Sequence, residues 1–176
     1  LLEKLVSHRE GLIIVGNAQD LSQDDSAIEA LSQISQNLAW PIVVDVLNPL
    51  RNHKAKFQHL ICNYDLFLRS DFNSNRLQPK AVLQVGGLPT SKHFRQWLKE
   101  AQAVHFLLGK GFDNSDPLNA CSIPFSGTLD QLSEQLSPCQ ADKEWLNAWS
   151  DTESKAETWL NSWLEGCDPS FEGCIA

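Results

Sequence analysis

The stretch AVLQVGGLPTSKHFRQWLKE, Ala81 to Glu100, changes its hydrophobic period midway. Its first part, Ala81 to Val85, is an apolar run too short for a stable helix. Pro79 stands before it and Gly86-Gly87 after it, so it reads as a buried strand. Leu88-Pro89-Thr90-Ser91 then makes a tight loop. Beyond it Phe94, Trp97 and Leu98 fall on one helical face at i, i+3 and i+4. Thr90 or Ser91 can cap that helix, because a hydroxyl there satisfies an orphan backbone N–H. Strand, glycine turn and helix start form the corner where an open α/β sheet receives ligands. Lys92 sits in the first helical turn, where a cation opposes the helix dipole at a cost of a few tenths to ~1 kcal/mol. An anionic ligand near Lys92 would offset that cost, so a ligand site at this helix start is worth considering.

Two phosphate-binding patterns fail here. A phosphate loop needs Gly before its Lys and Ser or Thr after it, whereas Lys92 lies between Ser91 and His93. The dinucleotide fingerprint G-x-G-x-x-G is absent too, since Gly86-Gly87 is adjacent and Gly16 stands alone. The competing structural reading is that the glycines turn the chain and Lys92 is a solvated surface residue.

Working outward, Gly11 to Val15 (GLIIV) is a short apolar run ended by Gly16-Asn17 and reads as the first strand. Leu21 to Leu38 is helical, with Ser22 as N-cap and Ile28, Leu31, Ile34 and Leu38 on one face. Pro41 disfavours helical geometry at Trp40. Ile42 to Val46 (IVVDV) suits a parallel strand covered on both faces. Asn48 to Gln58 reads as a long loop on the ligand side, which makes Asp45, Asn48 and Arg51 secondary site candidates. Tyr64 to Arg69 reads as a short helix capped by Asn63, with Arg69 as a helix-end cation. After the opening stretch come a strand at Val104 to Leu108, a turn from Gly109 through Pro117, a strand over Cys121 to Phe125, and a helix at Thr128 to Leu136 capped by Thr128 or Ser126. Strands and helices alternating in this way predict an α/β fold, a Rossmann-like open parallel sheet with helices on both faces. Its strands would be Leu12–Val15, Ile42–Val46, Val82–Val85, Val104–Leu108 and Ser122–Phe125.

Ala141 to Glu165 carries Trp145, Leu146, Trp149, Trp159, Leu160, Trp163 and Leu164. This predicts one or two Trp-rich amphipathic helices, packed on the sheet or facing other domains of a parent chain. The expected organisation is a helix or linker over 1–10, the Rossmann-like domain over 11–165 and an exit linker over 166–176.

Composition narrows the partners. A chain of 176 residues, 42% hydrophobic, is expected to form one domain with its own core. A net charge of −8 with no basic stripe argues against nucleic acid and anionic membranes. No apolar run approaches the ~20 residues that span a bilayer, and no cleavable signal is visible. With no Met anywhere, the chain is expected to be a piece of a longer protein. Cys62, Cys121, Cys139, Cys167 and Cys174 are odd in number and scattered, which suits free thiols in a reducing, cytoplasmic setting. Neither they nor His53 and His59 show metal-ligand spacing.

The run VLQVGGLPTSKHFRQWL, with LAWPIVVDVLNPLR upstream, Tyr64 to Arg69 (YDLFLR) and Asp116-Pro117-Leu118-Asn119-Ala120, resembles the central domain of the MenD-like thiamine-diphosphate synthases. The likeness covers most of residues 11 to 136. It implies a domain of a transferase that decarboxylates 2-oxoglutarate and adds the succinyl-semialdehyde unit to isochorismate, in menaquinone or phylloquinone biosynthesis. Thiamine diphosphate and Mg2+ would be bound by other domains of the full-length chain, in a homodimer or tetramer, and this piece would hold neither and be inactive alone. Because both substrates carry carboxylates, the resemblance implies that the family's S/G-K element, here Ser91-Lys92, contributes to a basic substrate pocket. Some relatives have Arg where this chain has His93, and His93 is cationic only if a neighbouring anion lifts its pKa. The central domain binds FAD or ADP in some thiamine-diphosphate enzymes, though not in MenD-like members. The alternative is a stand-alone nucleotide- or cofactor-binding Rossmann-like module.

Overall fold

A computed structural model describes residues 2–16, 21, 24–109, 118, 120–138 and 143–166. Among these, six strands form one parallel sheet: β1 (Gly11–Val15), β2 (Ile42–Val44), β3 (Leu60–Ile61), β4 (Ala81–Val85), β5 (Val104–Gly109) and β6 (Ile123–Ser126). Their order is β3-β2-β1-β4-β5-β6. The chain builds outward from β1 to β3, then returns to lay β4 on the other side of β1. That reversal makes the β1/β4 boundary the topological switch point of a doubly wound sheet. In β1, Ile13 and Val15 face one layer while Leu12 and Ile14 face the other, as strand alternation requires.

The first layer is α1 (Leu2–Val6), α2 (Asp25–Leu38) and α6 (Leu129–Gln135). The stripe Ile28, Leu31, Ile34 and Leu38 of α2 joins Leu132 of α6 on this face. Asp24 caps α2 through its carboxylate, which accepts from Ser26 N at 3.0 Å and Ala27 N at 3.2 Å. Thr128 caps α6 in a full capping box with Gln131. Gly11 is required by packing, because a Cβ there would lie 1.8 Å from the buried Trp40 ring.

The second layer is α3 (Tyr64–Phe67), α4 (Asp71–Arg76), α5 (Lys92–Ala101) and α7 (Lys143–Glu165). Phe94, Trp97 and Leu98 bury the predicted face of α5. Trp149 is fully buried, edge-on to Phe67 and Trp97. Trp145 Nε1 donates to Gly11 O at 2.8 Å at the start of β1. Further along α7, Glu153 reaches Cys62 and Asn63 just past the end of β3. The helix therefore crosses the sheet from its amino edge to its carboxyl edge. No helix among the described residues is long and apolar enough to cross a membrane.

The sheet confirms the predicted parallel α/β fold, with local corrections. The second strand stops at Val44 rather than Val46, because Asp45 turns the chain by accepting Leu47 N at 2.8 Å. The predicted loop 48–58 contains a 3-10 helix, Pro49–Lys56, capped by Asn48. The two-residue β3 and the polar helix α4 carry too little periodicity to be read from sequence. The helix expected over Tyr64–Arg69 ends at Phe67, and Asn63 makes no side-chain cap bond. The strand expected over Cys121–Phe125 runs Ile123–Ser126. α2 starts at Asp25, not Leu21, whereas Ser22 and most of the expected turn from Gly109 to Pro117 lie outside the described residues. The Trp-rich segment is one helix of 23 residues.

Candidate functional site

Three loops meet at the carboxyl edge of β1, β2 and β4. Asn48 is buried and donates from Nδ2 to Gly16 O at 2.5 Å, while its Oδ1 accepts Leu50 N at 2.9 Å. The buried Asp45 carboxylate accepts the amides of Leu47 and Thr90. Arg95 reaches back from α5, donating from Nε to Pro89 O at 2.5 Å and from Nη2 to Leu88 O at 3.3 Å. Ser91 Oγ caps α5 by accepting Phe94 N at 3.1 Å and donates its proton to Asp65. These bonds fix the 86–91 loop against its neighbours and set where α5 begins. Gly16 belongs to the same seam: a Cβ there would lie 1.9 Å from Gly87 O. Backbone therefore fills the β1/β4 crevice at Gly16, near where dinucleotides lie in sheets of this order.

Beside the seam opens a cleft of about 800 Å³ between the ends of β2 and β3 and the start of α5. Among the described residues that line it, four are basic, Arg51, Arg69, Lys92 and His93, against one acidic side chain, Asp65. Arg69 is engaged with Asp65, Nη2 to Oδ2 at 2.9 Å. Arg51 donates to Cys62 O at 3.0 Å from Nη1, which holds its guanidinium at the cleft wall. Lys92 and His93 are exposed and form no hydrogen bond or ion pair with a described residue. Burial alone would lift the Asp65 carboxyl, but the Ser91 hydroxyl, Arg69 and His93 together hold it below the ordinary carboxylate value. Burial pushes the Cys62 thiol up, against a smaller lowering by Arg51, with Glu153 raising it less again. Tyr64 is raised by burial, then by Asp45 and Asp65. The cleft thus offers fixed positive charge to an anion, while its acid stays ionised and its thiol and phenol stay protonated.

Of the residues singled out from sequence, Lys92, His93, Ser91, Arg51 and Arg69 do line one cleft. Asp45 and Asn48 lie behind it as loop supports. The Ser91 hydroxyl is engaged inward with Asp65 and the Phe94 amide. Sequence reading missed Asp65, Arg95 and Glu153. Glu153 is buried and accepts Cys62 N at 3.0 Å, Asn63 N at 2.9 Å and Asn63 Nδ2 at 2.9 Å, so α7 anchors the cleft wall. No local signal marks such a residue, which lies 90 positions from its partner. Among the described residues, no three His, Cys, Asp or Glu side chains converge as metal ligands.

An open parallel sheet with a cationic cleft at its carboxyl edge defines a ligand-facing α/β domain, and comparison with known proteins gives it a family. Residues 3–168 match the family described as "Middle domain of thiamine pyrophosphate". The chain belongs to that family of thiamine pyrophosphate enzyme middle domains. Its relatives include the 2-succinyl-5-enolpyruvyl-6-hydroxy-3-cyclohexene-1-carboxylate synthases of Gloeothece citriformis, 32% identical over 100% of this chain, and of Trichodesmium erythraeum, 35% identical over 88%. The synthase of Acaryochloris marina is 31% identical over 99% of the chain. The likeness seen in the sequence is therefore to this group of synthases. The chain spans 30%, 27% and 30% of those relatives' own lengths.

Proposed function

We propose that this chain is the middle domain of a longer thiamine-diphosphate transferase of the 2-succinyl-5-enolpyruvyl-6-hydroxy-3-cyclohexene-1-carboxylate synthase type. In it the cleft cations would hold the carboxylates of 2-oxoglutarate or isochorismate. The observation that carries this reading is the cleft itself: Lys92 and His93 project into it from a braced helix start and form no hydrogen bond or ion pair with a described residue. A charge-assisted bond to a carboxylate is about twice as strong as a neutral one, so a few such cations suffice to orient an acidic substrate. Lys92 is the principal anchor. Arg51, fixed by the Cys62 carbonyl, is a second point of attachment, and Ser91 holds the helix start from which Lys92 projects.

On this reading thiamine diphosphate, its Mg2+ and the bond-making steps belong to other domains of the longer chain, and this domain supplies binding and orientation. The test is to express the complete reading frame and supply thiamine diphosphate, Mg2+ and 2-oxoglutarate with and without isochorismate. CO2 release that requires both substrates supports the reading. Absence of turnover, together with calorimetric binding of ADP, FAD or NAD by the 176-residue chain, would replace it with a nucleotide-binding module.

A further inference from the structure

The far end of α7 carries a surface that the site does not use. Glu153 is level with the end of β3, and Trp163 lies ten residues further, so the helix overhangs the carboxyl edge by roughly 15 Å. On that overhang Trp159 and Trp163 are 56% and 53% exposed, with rings stacked at 6.5 Å and 12°. Phe72 of α4 is 70% exposed and Leu66 of α3 41%. Between α7 and these residues runs a groove of about 510 Å³. The two charged side chains lining it among the described residues are Arg76 and Lys155, both cationic. Arg76 is held over the Phe72 ring, 5.3 Å from its centroid, and donates to Thr152 Oγ1 at 2.8 Å. Aromatic rings bury 150–250 Å² each, so three half-exposed rings leave roughly 300–500 Å² of apolar surface uncovered. A patch of that size on one face marks an interaction site.

We propose that this face docks against a flanking domain of the same, longer chain. Three observations select that occupant over a second copy. The relatives are more than three times the length of this piece, so most of such a chain lies outside it. Leu66 lines both the groove and the cationic cleft, so a domain seated on the groove would border the candidate site, where the rest of a catalytic chain is needed. The groove's cationic lining calls for a complementary carboxylate, whereas a self-complementary contact would set Arg76 and Lys155 against their own copies unless they met acids elsewhere. The proposal rests on the middle-domain reading and adds which face meets the neighbour and with what chemistry: an apolar surface carrying an acid.

Hydroxyl-radical footprinting read by mass spectrometry tests it directly, comparing the 176-residue chain with the complete reading frame. Oxidation of Trp159 and Trp163 should fall by about fivefold or more in the longer protein, as solvent is excluded from an interface core. Equal oxidation in both overturns the proposal. So does protection that grows with concentration in the 176-residue chain while sedimentation shows its mass doubling, which would assign the face to a second copy. The double variant Trp159→Glu/Trp163→Glu should leave the Tm of the 176-residue chain within about 2 °C, because both positions are exposed. In the longer protein it should split thermal unfolding into separate transitions; one unchanged transition overturns the proposal. Footprinting needs no turnover, so protection without synthase activity would sink the substrate reading and leave the docking face standing.

Discussion

Replacing Glu153 by Ala tests how α7 supports the site. The carboxylate accepts two backbone amides and one side-chain amide where β3 ends, and it forms no ion pair with a described residue. A hydrogen bond to a charged acceptor contributes about 1.5–3 kcal/mol net, and a buried donor left unpaired costs about 1–3 kcal/mol. Cys62 and Asn63 are half-buried, so water can reach their amides and the lower part of each range applies. Relief of the carboxylate's own desolvation offsets part of the remainder, and the net loss comes to about 2–4 kcal/mol. For a chain of this size that is a fall in Tm of roughly 5–12 °C. Glu153→Gln keeps one carbonyl acceptor and should lose about half as much. Thermal denaturation followed by circular dichroism reads the totals, and hydrogen exchange should quicken at Cys62 and Asn63. A Glu153→Ala variant melting within about 2 °C of the parent would refute the argument that this carboxylate ties α7 to the cleft wall.

Three other perturbations probe the frame. Burial holds the His59 imidazole below its ordinary pKa, with Nδ1 2.9 Å from Ser150 Oγ. Between the folded and unfolded values the unfolded chain binds more protons, so this contribution is complete above about pH 6.5 and declines as pH falls below it. Urea unfolding at pH 7.5 and 5.5 should show a smaller drop for His59→Gln than for the parent; equal drops contradict the assignment. Gly16→Ala forces a Cβ onto the Gly87 carbonyl, a backbone atom that cannot rotate away, and should destabilise by about 2 kcal/mol or more in denaturant titration. Arg95→Ala removes two bonds to the 88–89 carbonyls, costs about 1–3 kcal/mol, and should speed amide exchange at Thr90 and the start of α5.

Much of this was legible in the sequence because it rests on local pattern. The apolar runs at Gly11–Val15 and Ala81–Val85, the helical spacing of Phe94, Trp97 and Leu98, and the break at Trp40-Pro41 each encode their element within a few residues. Where pattern was weak, reading failed: β3 is two residues long, α4 has no buried residue, and Asp45 ends β2 through a side-chain bond that hydropathy does not register. The cleft was half legible. Lys92 and His93 follow from their place after a strand and a glycine turn, whereas Asp65, Arg95 and Glu153 act through partners that the fold supplies. The Trp-rich segment divides between its two sequence readings: Trp145 and Trp149 pack on the sheet, while Trp159 and Trp163 face outward.

Under the proposed function, Lys92 holds an acidic substrate in the cleft of a longer synthase. Steady-state kinetics of Lys92→Ala in the complete enzyme tests it most directly, with the 176-residue chain's melting curve as the folding control. Lys92 is exposed and unpaired among the described residues, so the variant should melt within about 2 °C of the parent. Losing one charge-assisted bond of about 1.5–3 kcal/mol should lower kcat/KM by roughly 10- to 150-fold, mainly through KM for the carboxylate substrate it holds. Unchanged kcat/KM for both 2-oxoglutarate and isochorismate, in an enzyme that melts normally, would contradict the account.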